Sequence, residues 1–480
     1  MKSQNSKDTF IIGLLKFAIG PLGAAVINFL TIPITTWLVS PEEFGKATMF
    51  TLIQSLTLSF ILLGMDSAYA REYNDHQNKH KVLFNAMVFP LILAFMISFT
   101  SLLFIDQISN MLFGINSSVI VYIYSLWVPF VAVEILLLLN IRMKEKGFVY
   151  SIFNICLRLS IMVLTIVFLS LWSRSYLSII LATVLGQIIV DIVLIIYCRK
   201  DLIFKKEYLD IKLIKKMLKF GLPWIPAAMI GWVLNSSDRV FLERYTDYKQ
   251  VGIYFSAMKI IGVLGIVQQI FISYWFPISY RWEKEGVEHK QFTIVSHSLM
   301  FVMALLFMGI LLTKDLLITI LSPEYSQAAI IVPFLLFFPI MNTVSSTTTL
   351  GIQFSRKTHY NIWISIIAAI SNIILNFILV PNLGAIGASI STGISYIIFF
   401  WIRTLISRNL WYKFDLKYYF ITILILLIGA IVNVYVKGFL VYIINIILIF
   451  IILIYNLNLV KLGLSYLARV SFIRRKEINK

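Results

Sequence analysis

Apolar residues run along this chain in blocks long enough to cross a bilayer, separated by short polar segments. A transmembrane helix needs roughly 17 to 25 predominantly apolar residues at about 1.5 Å of rise each. Such stretches are predicted near residues 10–39, 47–70, 83–105, 117–141, 148–171, 176–197, 220–242, 251–277, 292–313, 328–350, 361–381, 385–402, 418–436 and 438–457. The apolar run from Tyr418 to Leu457 is almost unbroken, and its length, about two crossings, divides it at Lys437-Gly438. The pattern therefore predicts an all-α integral membrane protein of about 14 transmembrane helices.

Composition agrees with the pattern. At about 150 residues per domain, 480 residues would suit three soluble domains. A chain that is 59% apolar and only 13% charged, with a mean hydropathy of +0.88, lacks the charge for a soluble surface. Twelve prolines, two cysteines and no charge-rich tract exclude disorder, collagen and a disulfide scaffold.

The net charge of +18 raises nucleic acid as a partner until the basic residues are located. With a cytoplasmic N-terminus, 31 of the 41 Lys and Arg fall in tails and loops on that side and six on the other. That is the positive-inside pattern of a cell-membrane protein with both termini cytoplasmic. The excess is a topology signal, so no nucleic-acid partner is expected. The 198–219 segment alone carries eight basic residues, which can lie on the anionic cytoplasmic leaflet. It divides the chain into a six-helix lobe (1–200), a linker (201–219), a second six-helix lobe (220–402), and a final helix pair with a basic tail (403–480).

The two blocks read as repeats. Phe17, Pro21, Leu38 and Gly45 correspond to Phe220, Pro223, Leu242 and Gly252, with an offset of 203 at the Phe pair and 207 at the Gly pair. Each block opens with a proline-containing helix: Pro21 and Pro33 in the first, Pro223 and Pro226 in the second. An even number of helices per repeat keeps both in the same orientation, so two parallel lobes around a central cavity are expected.

Enzyme chemistry finds no foothold. Cys156 and Cys198 have no zinc-type spacing, the five His residues lie in or beside loops, and no phosphate-binding loop, G-x-S-x-G or H-E-x-x-H motif occurs. No metal and no cofactor is expected. No polar stretch could fold alone as a catalytic domain. Phe10 to Val39 is too long for a cleavable signal and lacks a small-x-small site.

Ionisable residues inside spans cost about 2.5–3.5 kcal/mol each at a helix centre, so each should face protein or water. The basic ones are Arg239, Lys259, Lys16 and Arg158, with Arg71 at the cytoplasmic end of the second span. The acids are Glu134, Asp66, Asp191 and Asp238. Two readings stand. The cations hold an anionic substrate through charge-assisted bonds, or they pair with the acids and lock helices together. Lys16 and Arg158 could instead snorkel to the cytoplasmic interface. Glu134, flanked by Phe130 to Val133 and Ile135 to Leu139, suits a proton or sodium site unless Arg158 pairs with it. Asp66 and Arg71 read as a gate or helix-end contact.

Several segments together resemble Wzx-type oligosaccharide flippases of the multidrug/oligosaccharidyl-lipid/polysaccharide exporter superfamily. The most specific are Phe220-Gly-Leu-Pro-Trp-Ile-Pro, Trp232-Val-Leu-Asn-Ser-Ser-Asp-Arg239 and Val251-Gly-Ile-Tyr-Phe-Ser-Ala-Met-Lys259. Leu38-Val-Ser-Pro-Glu-Glu-Phe-Gly45, Gly64-Met-Asp-Ser-Ala-Tyr-Ala-Arg-Glu-Tyr73 and Asn376-Phe-Ile-Leu-Val-Pro-Asn-Leu-Gly-Ala-Ile-Gly-Ala388 extend the likeness to nearly the whole chain. The resemblance implies a transporter moving a polyprenyl-diphosphate-linked oligosaccharide, for O-antigen, capsule or a similar polymer, from the cytoplasmic to the outer leaflet of a bacterial inner membrane. It implies that cavity cations hold the diphosphate-sugar head group, with Arg239 and Lys259 the best counterparts and Arg71 and Lys16 behind them. Membrane lipid, and the polymerase and chain-length machinery of such a pathway, are the partners it implies.

Rival readings are a multidrug and toxic compound extrusion antiporter and a flippase for the peptidoglycan lipid precursor or exporter of a teichoic-type polymer. A membrane polymerase or ligase would usually need a long extracytoplasmic loop, and none is present in the predicted topology.

Overall fold

The computed structural model describes residues 2–110, 117–203, 205–459 and 461, with the side chains of residues 2–18 and 224 outside that description. Helices follow one another in the order α1 (Lys2–Leu38), α2 (Pro41–Ile61), α3 (Met65–Asp75), α4 (Lys79–Leu103), α5 (Ile105–Ile108), α6 (Ser118–Met143), α7 (Gly147–Leu171) and α8 (Tyr176–Tyr197). They continue with α9 (Ile211–Gly221), α10 (Trp224–Tyr245), α11 (Tyr248–Ile261), α12 (Leu264–Glu285), α13 (His289–Ile318), α14 (Ala328–Leu335), α15 (Phe337–Thr348), α16 (Leu350–Phe354), α17 (His359–Leu410), α18 (Lys417–Tyr435) and α19 (Phe439–Tyr455). No strand occurs among the described residues. This is a multi-pass, all-α membrane protein: only helices or closed barrels satisfy every backbone group within hydrocarbon.

Ten helices are long and apolar enough to cross, and up to twelve if two bent pairs, α2 with α3 and α9 with α10, each count once. The 52-residue α17 is too long for one crossing and breaks at Gly384 (φ 53°, ψ −132°). Beyond the break Gly387 lies against the backbone of Leu379 and Val380, so the chain doubles back as two spans. The 17-residue α19 is separated from α18 at Gly438 (φ 79°), where the apolar run was expected to divide. The expected fourteen is thus approximate: it is reached by counting α17 twice and the short α19 once.

Two compact units result. The first comprises Met1–Val263, Leu321–Tyr325 and Ile373–Ala388; the second comprises Leu264–Ile320, Ser326–Asn372 and Ser389–Lys480. Packing groups α10 and α11 with the first eight helices, a partition of contacts rather than of sequence repeats.

In the first unit, the Ser-Pro-Glu-Glu segment works as a helix start. Ser40 caps α2 by accepting the Glu43 amide, Pro41 follows it, and Glu43 also accepts the Tyr176 amide at 2.7 Å. Asp247 caps α11 in the same way, accepting the Gln250 amide at 2.8 Å. The two helices cross at glycines, and the contact is reciprocal. A Cβ on Gly45 would come 1.9 Å from the Tyr248 carbonyl oxygen, and one on Gly252 would come 1.9 Å from that of Pro41. Ser40/Asp247, Pro41/Tyr248 and Gly45/Gly252 are all 207 residues apart. Equivalent positions meeting this way is what a two-fold relation between repeats requires.

The basic segment ahead of α10 carries α9. Asp210 caps it, accepting the Lys212 and Leu213 amides at 3.0 Å and pairing with Lys81 at 2.7 Å. The Lys81 ammonium and those amides hold the Asp210 carboxyl below the usual carboxylate range. Leu213 and Met217 are buried while Lys216 reaches Glu72 of α3 at 2.5 Å.

The second unit is knit by an aromatic cluster around Trp275, Phe292 and Leu350 and by hydroxyl pairs between helices. Ser296 bonds both Thr347 (2.6 Å) and Tyr419 (2.5 Å), and Asn433 bonds Asn445 (2.8 Å). Each pair satisfies polar atoms that hydrocarbon would leave bare.

Backbone proximity at the α2–α11 crossing leaves no room for a methyl group. Gly252→Ala should lower stability by about 1–3 kcal/mol. Gly309→Ala, where nothing lies within 4 Å, should leave it unchanged or raise it. Thermal melting of the detergent-purified variants, followed by tryptophan fluorescence, checks the contrast, and equal melting temperatures would refute the crossing.

Candidate functional site

Five helices of the first unit carry ionisable side chains within their spans. On α10 Asp238 and Arg239 are neighbours in sequence and so point about 100° apart, and the structure gives them different work. Asp238 is 3% exposed; its carboxylate accepts the Tyr254 hydroxyl of α11 at 2.5 Å and the Asn376 amide at 2.7 Å. Three segments meet on that carboxylate, so Asp238 is a structural knot.

Arg239 is half-buried. Its guanidinium donates to Ser236 Oγ at 3.1 Å and sits 5.2 Å from the centre of the Phe255 ring. The Lys259 ammonium, one turn along α11 from Phe255, lies 5.0 Å from the same ring. One aromatic ring therefore steadies two cations. Lys259 is solvent-accessible although protein surrounds it on most sides. It is also within Coulombic reach of both Arg239 and Arg158 of α7.

Three cations thus gather from α7, α10 and α11. Among the described residues none of them has a carboxylate within the 4 Å of an ion pair. Like charges held together repel, strongly where the dielectric is low. An anion with several oxygens relieves that repulsion and gains charge-assisted hydrogen bonds.

Arg158 is also within Coulombic reach of an acid, Glu134 on α6. Glu134 is 8% exposed and accepts the Gln187 amide at 2.5 Å, while Gln187 accepts the Trp127 indole N–H at 2.8 Å. Asp191 on α8, 1% exposed, is within Coulombic reach of Glu134.

The remaining expected residues lie elsewhere. Arg71 is exposed, stacked 4.6 Å from the Phe220 ring centre. Asp66 lines a separate cavity of about 410 Å³, with Leu58, Ser59 and Ser67 beside it and Ile225 and Ala228 from α10. The Lys16 side chain lies outside the described residues. The structure adds residues that sequence spacing could not supply. Tyr254 and Asn376 hold Asp238, and Gln187 and Trp127 hold Glu134. In the second unit Arg403, counted in a loop by hydropathy, lies within α17 and donates to Thr349 (2.9 Å) and Ser345 (3.0 Å) hydroxyls.

Comparison with known proteins fits this picture. Residues 13–283, more than half of the chain, match the family described as polysaccharide biosynthesis protein. The chain belongs to that family. Membership bears out the resemblance to Wzx-type flippases read from the motifs. A Haloferax volcanii protein described as a probable low-salt glycan biosynthesis flippase, Agl15, is 24% identical over 177 residues. The match covers 36% of this chain, which spans about a third (35%) of that relative's length. Among solved structures, the lipid II flippase MurJ in an inward closed conformation aligns with a TM-score of 0.71 at 18% identity, over 92% of this chain and 99% of that one. A MATE transporter in complex with MaD3S aligns with a TM-score of 0.58 at 14% identity, over 82% and 94%. Both likenesses concern the fold alone.

Different roles for neighbouring charges give a testable contrast. Asp238→Ala should cost about 2 kcal/mol or more by stripping buried Tyr254 and Asn376 of an acceptor. Lys259→Ala should leave stability unchanged or improved, since it removes a mutually repelling cation. Melting temperatures of the two purified variants decide it; a larger loss for Lys259→Ala would reverse the assignment.

Proposed function

We propose that this protein is a flippase that carries a polyprenyl-diphosphate-linked oligosaccharide from the cytoplasmic to the outer leaflet. The observation carrying the reading is the grouping of Arg158, Arg239 and Lys259, three cations inside the spans with no carboxylate at ion-pair distance among the described residues. Family membership, and the flippase descriptions of Agl15 and MurJ, support it.

The physical problem is that a charged, hydroxyl-rich head group cannot enter hydrocarbon while its prenyl tail can stay there. A cationic recess lowers that cost without any covalent step. Alternating access, with lobes 1–200 and 220–402 exposing the recess to one face and then the other, would complete the transfer. Both termini are cytoplasmic in this scheme, the membrane is a bacterial inner membrane, and the polymer is O-antigen, capsule or similar. Polymerase and chain-length machinery of that polymer would be neighbours in the pathway. A cationic drug would meet repulsion from the same three residues, which disfavours the antiporter reading.

Leaflet distribution of polyprenyl-diphosphate oligosaccharide in cells lacking the gene tests the proposal. Accumulation on the cytoplasmic face should be relieved by the intact gene and not by Arg239→Ala with Lys259→Ala at equal protein level. Loss of two charge-assisted contacts, each worth about 1.5–3 kcal/mol, should weaken head-group binding at least a hundredfold. An unchanged distribution would overturn the proposal, and build-up of the peptidoglycan precursor instead would reassign its substrate.

A further inference from the structure

Asp191 is buried to 99% in α8, six residues before that helix ends, and neither carboxyl oxygen has a hydrogen-bond partner among the described residues. The charge within Coulombic reach of it is another acid, Glu134.

The orientation of the chain leading to Glu134 is fixed. An indole N–H can only donate, so the Gln187 oxygen must face Trp127 and its NH₂ must face Glu134. Glu134 is therefore an acceptor at that oxygen, with Arg158 within Coulombic reach. Gln187 and Arg158 serve Glu134, and nothing comparable among the described residues serves Asp191.

Other helices packed on α6 and α8 use their charges elsewhere. On α2, Lys46 pairs with Glu42 and Glu43 in the first turn. On α3, Glu72 takes Lys216 and His76, and Arg71 stacks on Phe220, while Asp66 lines its own cavity. On α4, Lys81 takes Asp210, Lys79 bonds the Tyr73 carbonyl and His80 the Asp201 carbonyl. At the end of α6, Arg142 stacks on Tyr150, and α5 contributes only the exposed Asp106.

An ionised carboxylate with no donor and a like charge beside it is among the costliest groups to bury. One hydrogen ion removes both penalties. We infer that Asp191 and Glu134 form an intramembrane proton site, one proton being held by the pair and resting on Asp191. Deepening the flippase reading, on which its use in transport depends, this site is tied to the substrate recess through Arg158. That residue is within Coulombic reach of both Glu134 and Lys259. A diphosphate that engages Arg158 weakens its hold on Glu134, so anion binding and proton binding favour each other, as reciprocal linkage requires.

Infrared spectroscopy of the full-length protein in lipid nanodiscs tests the site without any transport assay. The carbonyl stretch of a protonated carboxyl should be present at neutral pH and shift on exchange into heavy water. It should be lost in Asp191→Asn, altered in Glu134→Gln and retained in Asp66→Asn. Trp127 emission should follow pH along the same curve, and that change should vanish in Trp127→Phe. Binding of inorganic diphosphate, measured calorimetrically in buffers of different ionisation heat at the pH where the carboxyl band is half lost, should take up protons in the wild type and not in Asp191→Asn. Absence of a deuterium-sensitive carboxyl band in the wild type would overturn the inference. So would a Trp127 response to sodium at constant pH without such a band, since the pair would then hold a metal ion. Failure of the leaflet experiment with the band intact would remove the flippase reading and leave the proton site standing.

Discussion

Within hydrocarbon there is no water to complete a hydrogen bond, and that constraint orders nearly every feature of this molecule. Backbones satisfy it by forming helices. Thr31 and Thr165 satisfy it by donating back to the Ile27 and Ile161 carbonyls of their own helices. Asn433 and Asn445 satisfy it across α18 and α19. Asp238 satisfies it with Tyr254 and Asn376. Against that background the charged exceptions stand out: among the described residues, cations on α7, α10 and α11 have no acid at bonding distance, and an acid on α8 has no donor. Groups that carry such a penalty in the resting protein are the ones on which the proposed substrate and proton sites rest.

Arg158 joins the two exceptions. Were it bound tightly to Glu134, the recess would hold only Arg239 and Lys259, and the acids would be nearly neutralised. Were it remote from Glu134, two carboxylates would stand with no cation at all. Its intermediate position, within Coulombic reach of both groups and at ion-pair distance from neither, leaves its charge available to whichever side changes.

Spans were legible in the sequence because hydropathy over twenty residues reports only whether a segment can sit in lipid. Breaks inside them were less so. Gly384 was visible as a glycine between two apolar runs, but a helix that continues through a reversal of direction, with Gly387 on the Leu379 backbone, arises from tertiary packing. The charges were likewise visible as costly residues, without their geometry. Arg71 at a span end and Lys259 within a span were both legible as cations, yet one stacks in the open on Phe220 and the other joins Arg239 on Phe255. Pairing alternatives for Glu134 stayed open because its partner Gln187 is uncharged and 53 residues away. Arg403 was lost to a boundary drawn one residue too early.

Repeats explain why the site is one-sided. The α2–α11 crossing shows that the two copies share caps, first turns and the glycine contact at a constant offset of 207. The charges do not follow that symmetry. The position 207 residues before Lys259 is Leu52, which is 1% exposed in the core of α2. A duplicated scaffold with a cation at Lys259 and a leucine at the equivalent position has kept its backbone relation and diverged in electrostatics. Packing constrains the first: a glycine changed on either helix strikes the other's backbone. A charge facing a recess is held by no such contact, so it is free to be tuned to what the recess receives.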